Sequence, residues 1–340
     1  MHISLKAHRR VTVAIRGWLS AHRTISPDAY RRVTVAACAM VAVIIVTGAA
    51  VRLTGSGLGC SSWPNCSPGQ LTPRSATSYH AMIEFINRTF TGAVSIAVIA
   101  AVLGSFFRSP RRRDLIWLSL GLVAGVVAQI VLGGITVLTD LHPAAVMSHF
   151  LLSMALLADA VILVERAGYP DDRRSYKPEL KWEQKLPLLQ FIFASIVVIA
   201  GTVATNSGPH AGDRSARRFN IVLTDIVRIH SIAAIMLLVT LAAILFLSAR
   251  TGVSSRRRKD LTLLLSAVVI QMGIGYVQYF TGVPALIVSL HIVGAVLVFI
   301  ASLRFLLRTN RQMPMIAMSA ENRVQANEFV SNFRETGRVQ

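Results

Sequence analysis

Acidic side chains are scarce in this chain: 16 Asp and Glu stand against 35 Lys and Arg in 340 residues, and charged residues of both signs make up only 15%. A water-soluble domain of ordinary composition carries about 25% charged residues. A chain this poor in charge, with 53% apolar residues and a mean hydropathy of +0.56, belongs in a membrane. Cysteine is scarcer still, and three residues exclude a scaffold built from disulfides. Aromatic residues at 7% and 12 prolines leave no room for low-complexity or collagen-like sequence. The net charge of +19 would suit a nucleic-acid binder only if the bases gathered on a folded, solvated face. They lie between apolar runs instead, so no nucleic-acid partner is expected.

Long apolar runs dominate what is present. Crossing about 30 Å of hydrocarbon takes roughly 20 mostly apolar residues. Eight stretches qualify, near 33–52, 82–107, 114–138, 144–164, 187–206, 221–248, 261–281 and 284–307, with very short turns at Pro143 and Pro284 joining the third to the fourth and the seventh to the eighth. The expected fold class is an all-α membrane protein of eight transmembrane helices. Of the 35 Lys and Arg, 28 fall in segments 1–32, 108–113, 165–186, 249–260 and 304–340, all on one side of such a chain. The positive-inside rule assigns that side to the cytoplasm, together with the N- and C-termini and the runs Arg111-Arg112-Arg113 and Arg256-Arg257-Arg258-Lys259. These runs serve topology and contact with anionic membrane lipid. Residues 1–32 have no long apolar core and no small-residue cleavage site, and read as a basic cytoplasmic tail rather than a signal peptide. The protein is expected as a multi-pass component of the plasma membrane.

The two halves repeat. Gln129, Gly133, Thr139 and His149 recur as Gln271, Gly275, Thr281 and His291, each 142 residues later. Gly48-Ala49-Ala50-Val51-Arg52-Leu53-Thr54-Gly55-Ser56-Gly57 has a shorter counterpart in Gly201-Thr202-Val203-Ala204-Thr205-Asn206-Ser207-Gly208. Both copies start from the same side, so the repeat is parallel, about an axis along the membrane normal. This divides the chain into the tail 1–32, an N-terminal four-helix bundle 33–164 with an outer loop 53–81, a cytoplasmic linker 165–186, a C-terminal four-helix bundle 187–307 and a cytoplasmic tail 308–340. The paired Ser-Gly turns either cap their helices or shape the mouth of a site.

Ionisable groups in spans should face the bundle interior, because facing lipid is costly. Glu84, Asn87 and Arg88 in span 2, His149 in span 4, His230 in span 6 and His291 in span 8 all fall toward the outer halves. Two inward imidazoles at similar depth, His230 and His291, would supply both axial nitrogens of one haem iron. Zinc would want further ligands nearby, which are not found. In the first half His149 matches His291, but His230 shifted by 143 lands on Asn87, a poor haem ligand. One bundle then stores a haem with both positions filled, and the other holds an iron with one firm ligand and a polar face. His80 lies two turns from Asn87 toward the outside, and Glu84 shares a helix face with Asn87. An open position beside a buried carboxylate suits oxygen activation better than simple electron transfer. The alternative for Glu84 is an ion pair with Arg88 or Arg52. His142 and His210 lie in outer loops, Arg214, Arg217 and Arg218 form a basic cluster suited to haem propionates or lipid phosphates, and Asp159 has no assigned role beyond helix contact.

Cys60 and Cys66 sit in the first outer loop, in Gly59-Cys60-Ser61-Ser62-Trp63-Pro64-Asn65-Cys66, where an oxidising exterior favours a disulfide. It is either a structural bridge or a reversible thiol pair. Cys38, in span 1, packs as a small apolar residue.

These segments resemble the haem A synthase family over roughly residues 33–307. The resemblance rests on Arg52-Leu53-Thr54-Gly55-Ser56-Gly57-Leu58-Gly59-Cys60 through Cys66, Ile83-Glu84-Phe85-Ile86-Asn87-Arg88, Gly201-Thr202 through Ser207-Gly208-Pro209-His210-Ala211-Gly212-Asp213, and Gly275-Tyr276-Val277-Gln278-Tyr279-Phe280-Thr281-Gly282-Val283-Pro284 leading to His291. It implies that His230 and His291 ligate a haem b cofactor, and that His149 and Glu84, with Asn87 and Arg88 beside them, belong to the catalytic site for haem O. The family commonly has a fourth histidine where this chain has Asn87, which leaves either His80 as second ligand of the substrate haem or a five-coordinate site. A second cysteine pair found in some members between spans 5 and 6 is absent. The implied reaction converts the C8 methyl of haem O to a formyl group, with oxygen or water as the oxygen source and the haem b passing electrons. Implied partners are an electron donor, haem O synthase and cytochrome oxidase assembly factors. The rival expectations are a b-type cytochrome that only transfers electrons and a haem transporter.

Overall fold

A computed structural model describes residues 24–60, 62–75, 78–170, 182–250 and 255–309. The tails 1–23 and 310–340, the middle of the 165–186 linker and the side chains of Arg256 and Arg257 lie outside the described residues.

Eight helices account for nearly all of the described chain, and no strand occurs among these residues. They are α1 (Pro27–Leu53), α2 (Tyr79–Phe107), α3 (Arg113–Leu138), α4 (Pro143–Ala167), α5 (Trp182–Ser207), α6 (Leu223–Arg250), α7 (Ser255–Phe280) and α8 (Ala285–Thr309). All eight are long and apolar enough to cross a membrane. Local chemistry sets their starts. Ser26 accepts a hydrogen bond from the Ala29 amide with Pro27 in the first turn of α1, and Pro143 opens α4, where its missing N–H costs nothing.

In the first half α1 packs on α2 and α4, and α3 bridges α2 and α4, closing a ring of four. In the second half α5 packs on α6 and α6 on α7, while α8 meets α5 through Phe191 and Phe299, α6 through His230 and His291, and α7 through Gln271. Each half has its own apolar core, but Val296, Phe299 and Leu303 of α8 join that of the first half. Near the ends of α4 and α8 farthest from the Cys60–Cys66 loop, Glu165, 7% exposed, accepts from Arg304 at 2.7 Å and Arg308 at 3.2 Å, tying the halves together.

The repeat read from sequence extends into the backbone. Thr139, Asp140 and Leu141 N–H groups bond Ile135, Val137 and Thr136 carbonyls, and the three bonds recur at Thr281 to Val277, Gly282 to Tyr279 and Val283 to Gln278. The αL residues recur at the same shift: Asp140 and Leu141 at φ 52° and 57°, Gly282 and Val283 at 77° and 62°. A leucine or valine at positive φ is unfavourable. Both turns accept that cost to reverse the chain within a few residues.

At the end bearing these turns, two longer connections cover the bundles. The first, after α1, contains the Cys60–Cys66 disulfide, with both cysteines buried. The second, after α5, is pinned to the first half: Gly57 N–H bonds Gly212 O at 2.9 Å, and Leu141 packs with Ala211 and Ala216. Gly57 is required there, because a Cβ would come within 2.9 Å of Leu141 and 3.1 Å of the Gly212 carbonyl.

Candidate functional site

The covering loops and the upper parts of the helices enclose a cavity of about 980 Å³ lined by both halves. His149, His230 and His291 all border it, as do Glu84, Asn87 and Arg88.

In the second half the structure brings His230 and His291 together. Their ring centres are 6.3 Å apart with planes inclined at 66°. An imidazole nitrogen sits about 2 Å from a bound metal, so two rings flanking one iron have centres roughly 6 Å apart. Metal-ligating histidines usually anchor their second nitrogen. His230 Nδ1 lies 2.9 Å from the Val197 carbonyl oxygen, and His291 Nδ1 lies 2.9 Å from the Gln271 side-chain amide, which also donates to the His291 carbonyl at 2.7 Å. Each ring lies edge-on against a glycine: a Cβ on Gly201 or Gly275 would come within 3.0 Å of the His230 or His291 Cε1. The residues fit a bis-histidine haem. Among the described residues no group of three His, Cys, Asp or Glu is placed to hold a bare metal ion.

The first half repeats part of this. Gln129 donates to the His149 carbonyl at 3.1 Å, as Gln271 does to His291, and also to Ser153 Oγ at 2.6 Å. A Cβ on Gly133 would meet His149 Cε1 at 3.3 Å. Among the described residues the buried His149 Nδ1 has no hydrogen-bond partner, whereas His291 Nδ1 lies against the Gln271 amide, so this imidazole is held less fully than its counterpart. Among the described residues no second imidazole is paired with it as His230 is with His291. Asn87 occupies the place of His230, and its Oδ1 accepts from Thr47 Oγ1 at 2.8 Å. The structure does not bring His80 to this site. It lies in the first turn of α2, exposed, with Nδ1 2.9 Å from Ser56 Oγ, and does not line the cavity.

Glu84 is 5% exposed and pairs with Arg88, whose Nη2 and Nε lie 2.6 and 3.1 Å from Oε1; Oε2 accepts from the Cys60 amide at 2.7 Å. Arg88 also donates to the Cys60, Ser62 and Asn65 carbonyls at 3.1–3.3 Å. This pair therefore holds the disulfide loop over the first half. Trp63 of that loop lies on α3, where a Cβ at Gly134 would come within 2.8 Å of its ring. Arg52 turns away from Glu84. It donates to the His210 and Thr205 carbonyls at 2.6 and 3.1 Å and to Asn206 Oδ1 at 3.0 Å, joining α1 to the second half, while His210 Nε2 lies 2.8 Å from the Val283 carbonyl.

Arg214, Arg217 and Arg218 are exposed and do not line the cavity; Arg52, Arg88 and Arg228 do. Arg228 was not singled out from sequence, although it stands two residues before His230 at the mouth of α6. Asp213, in the second covering loop, is held below the usual carboxylate range by the hydroxyl and amide of Ser215, 2.6 and 2.8 Å from Oδ1. His142 is the exposed N-cap of α4, and Asp159 packs where Gly121 of α3 leaves room.

The family described as cytochrome oxidase assembly protein matches residues 31–303. Proteins named heme A synthase are similar: one from Lysinibacillus sphaericus is 29% identical over 51% of this chain and 57% of its own length, and one from Listeria welshimeri is 26% identical over 73% and 85%. Another from Listeria monocytogenes is 33% identical over 36% of this chain and 40% of its own length. With the family match covering the eight helices except the first turn of α1 and the end of α8, the chain belongs to the haem A synthase family of cytochrome oxidase assembly proteins.

Proposed function

We propose that this chain oxidises the C8 methyl of haem O to the formyl group of haem A, with a haem b held by His230 and His291 and the substrate haem held by His149. The observation that carries the reading is the contrast within one cavity: two imidazoles 6.3 Å apart border it in one half, and one imidazole and an amide border it in the other. A haem b held by His230 and His291 would supply one-electron transfer. Turning a methyl into a formyl replaces two hydrogens by one oxygen and removes four electrons in all, so the reaction needs both an electron path and an oxygen source, water or dioxygen.

The chain's own groups divide the remaining work. His149 fixes the substrate iron, and Gly133 and Gln129 hold the helix around that ring. Arg52, Arg88 and Arg228 supply guanidinium groups at the loop end for the propionates. Glu84, paired with Arg88, is the acidic group that orients water or accepts a proton at the reacting methyl. The Trp63 loop covers the site and excludes bulk water. In this reading the basic segments and both termini face the cytoplasm, the disulfide loop faces the oxidising exterior of the plasma membrane, and haem O synthase, an electron donor and oxidase assembly factors are the partners.

The test is expression in a host that makes haem O but no haem A, supplied with an electron donor, followed by extraction and mass identification of the haems. A hydroxymethyl or formyl product that disappears in His149→Ala is the expected result. Unaltered haem O beside a low-spin haem b would instead favour an electron-transfer cytochrome or a haem transporter.

A further inference from the structure

We infer that the first half binds its haem through His149 alone and keeps the opposite axial face for a small exogenous ligand, met by the side-chain N–H of Asn87. The inference rests on the reading above that this half takes a haem.

Three observations carry it. The repeat puts Asn87 where the second half has His230, and an amide offers iron no ligand comparable to an imidazole. The room for a ring is nevertheless kept. A Cβ on Gly133, Gly201 or Gly275 would touch an imidazole at 3.0–3.3 Å, whereas one on Gly48, the counterpart of Gly201, would meet nothing within 4 Å. The amide is also oriented. Thr47 Oγ1 donates to Asn87 Oδ1 at 2.8 Å, which commits the carbonyl side to α1. Asn87 Nδ2 has no protein acceptor among the described residues, and the residue borders the cavity. A primary amide N–H beside an open axial position is a donor for a diatomic gas or a water.

Other side chains do not fill the gap. Glu84 is engaged by Arg88 and the Cys60 amide, and His80 is exposed and paired with Ser56. The second half, with both axial positions occupied, should ignore the same ligand.

Carbon monoxide is the probe, because it binds ferrous haem only where an axial position is open. The full chain is purified, loaded with excess haem, reduced, and read by haem content, optical spectrum and C–O stretching frequency. The expected result is two haems per chain, one low-spin and indifferent to carbon monoxide, the other reactive and lost in His149→Ala. Asn87→Leu should keep the reactive haem and raise the C–O stretch, by removing the donor; Asn87→His should abolish carbon monoxide binding and leave two low-spin haems. Two haems with neither reactive in the unaltered chain would overturn the inference and leave the proposed function standing. An unchanged stretch in Asn87→Leu would overturn the role of Asn87. A load of one haem per chain, low-spin and dependent on His230, would overturn the assignment of a haem to the first half and this inference with it.

Discussion

Where α3 turns into α4 and where α7 turns into α8, the same backbone hydrogen bonds and the same left-handed residues recur 142 residues apart, and behind each turn a glutamine donates to the carbonyl of a histidine. On the facing helices the likeness fails. α6 presents His230 against Gly201, whereas α2 presents Asn87 bonded to Thr47 beside an empty space at Gly48. The half that lacks the ring is also the half whose covering loop carries a disulfide and a tryptophan and is held by an ion pair on α2. The frame that aims histidines into a membrane cavity is common to both halves, and in the proposed reading one position per half would decide whether a bound iron is saturated or open.

The largest effects should come from erasing that difference. His230→Ala or His291→Ala is expected to remove the low-spin haem b spectrum completely and to stop turnover, while carbon monoxide binding at the other haem persists. His149→Ala should do the reverse, so optical spectra of the reduced proteins separate the halves.

Next in size is the cover of the first half. Glu84→Ala strips the buried partner of Arg88 and the acceptor of the Cys60 amide. Breaking a buried pair costs about 3–5 kcal/mol, and Arg88 is partly exposed, so the loss should lie toward or below the lower figure. Turnover should stop with the haem b spectrum intact; a lost haem b signal would contradict the division of labour. Opening the bridge with Cys60→Ser is a smaller step, because closing so short a loop is worth roughly 2 kcal/mol. A lowered thermal midpoint with turnover retained would mark the disulfide as structural, and lost turnover at an unchanged midpoint would mark it as a working thiol pair.

How much of this could be read beforehand depends on the range of the interaction. The spans were legible because the bilayer imposes their length, and the two tight turns because Pro143 and Pro284 follow their apolar runs so closely. His149, His230 and His291 were legible because ionisable groups in a span must face inward, and the shift of 142 matched His149 to His291. α1 begins at Pro27, before the 33 expected, because Ser26 and Pro27 form a cap ahead of the apolar run. What escaped were contacts between residues far apart in sequence. Arg52, offered as a partner of Glu84, reaches about 150 residues ahead to Thr205 and Asn206. His80, two turns outward of Asn87, was offered as one of two alternatives for the second ligand position, but seven residues are about 10 Å along a helix. That distance carries it out of the cavity to Ser56. Gly133 and Gly275 marked the repeat, but that they back the imidazole rings could not be read, since only the packed neighbour shows why a side chain is excluded.

Those glycines give the finest way to test the comparison. Gly48→Ala and Gly201→Ala make the same chemical change at equivalent places in α1 and α5, and helix propensity alone would favour alanine at both by about 0.5–1 kcal/mol. At Gly48 the added methyl meets nothing within 4 Å, so that gain should appear as a slightly raised thermal midpoint, with the low-spin spectrum unchanged. At Gly201 the methyl would stand 3.0 Å from Cε1 and 3.2 Å from Nδ1 of His230, the nitrogen that also lies against the Val197 carbonyl. The ring must tilt or the helix must move out, and either displaces an axial nitrogen. The low-spin haem should then show a shifted reduction potential and no gain in midpoint. Equal behaviour of the two variants would mean that Gly48 also backs a ring-sized group, and the first half would then be as saturated as the second.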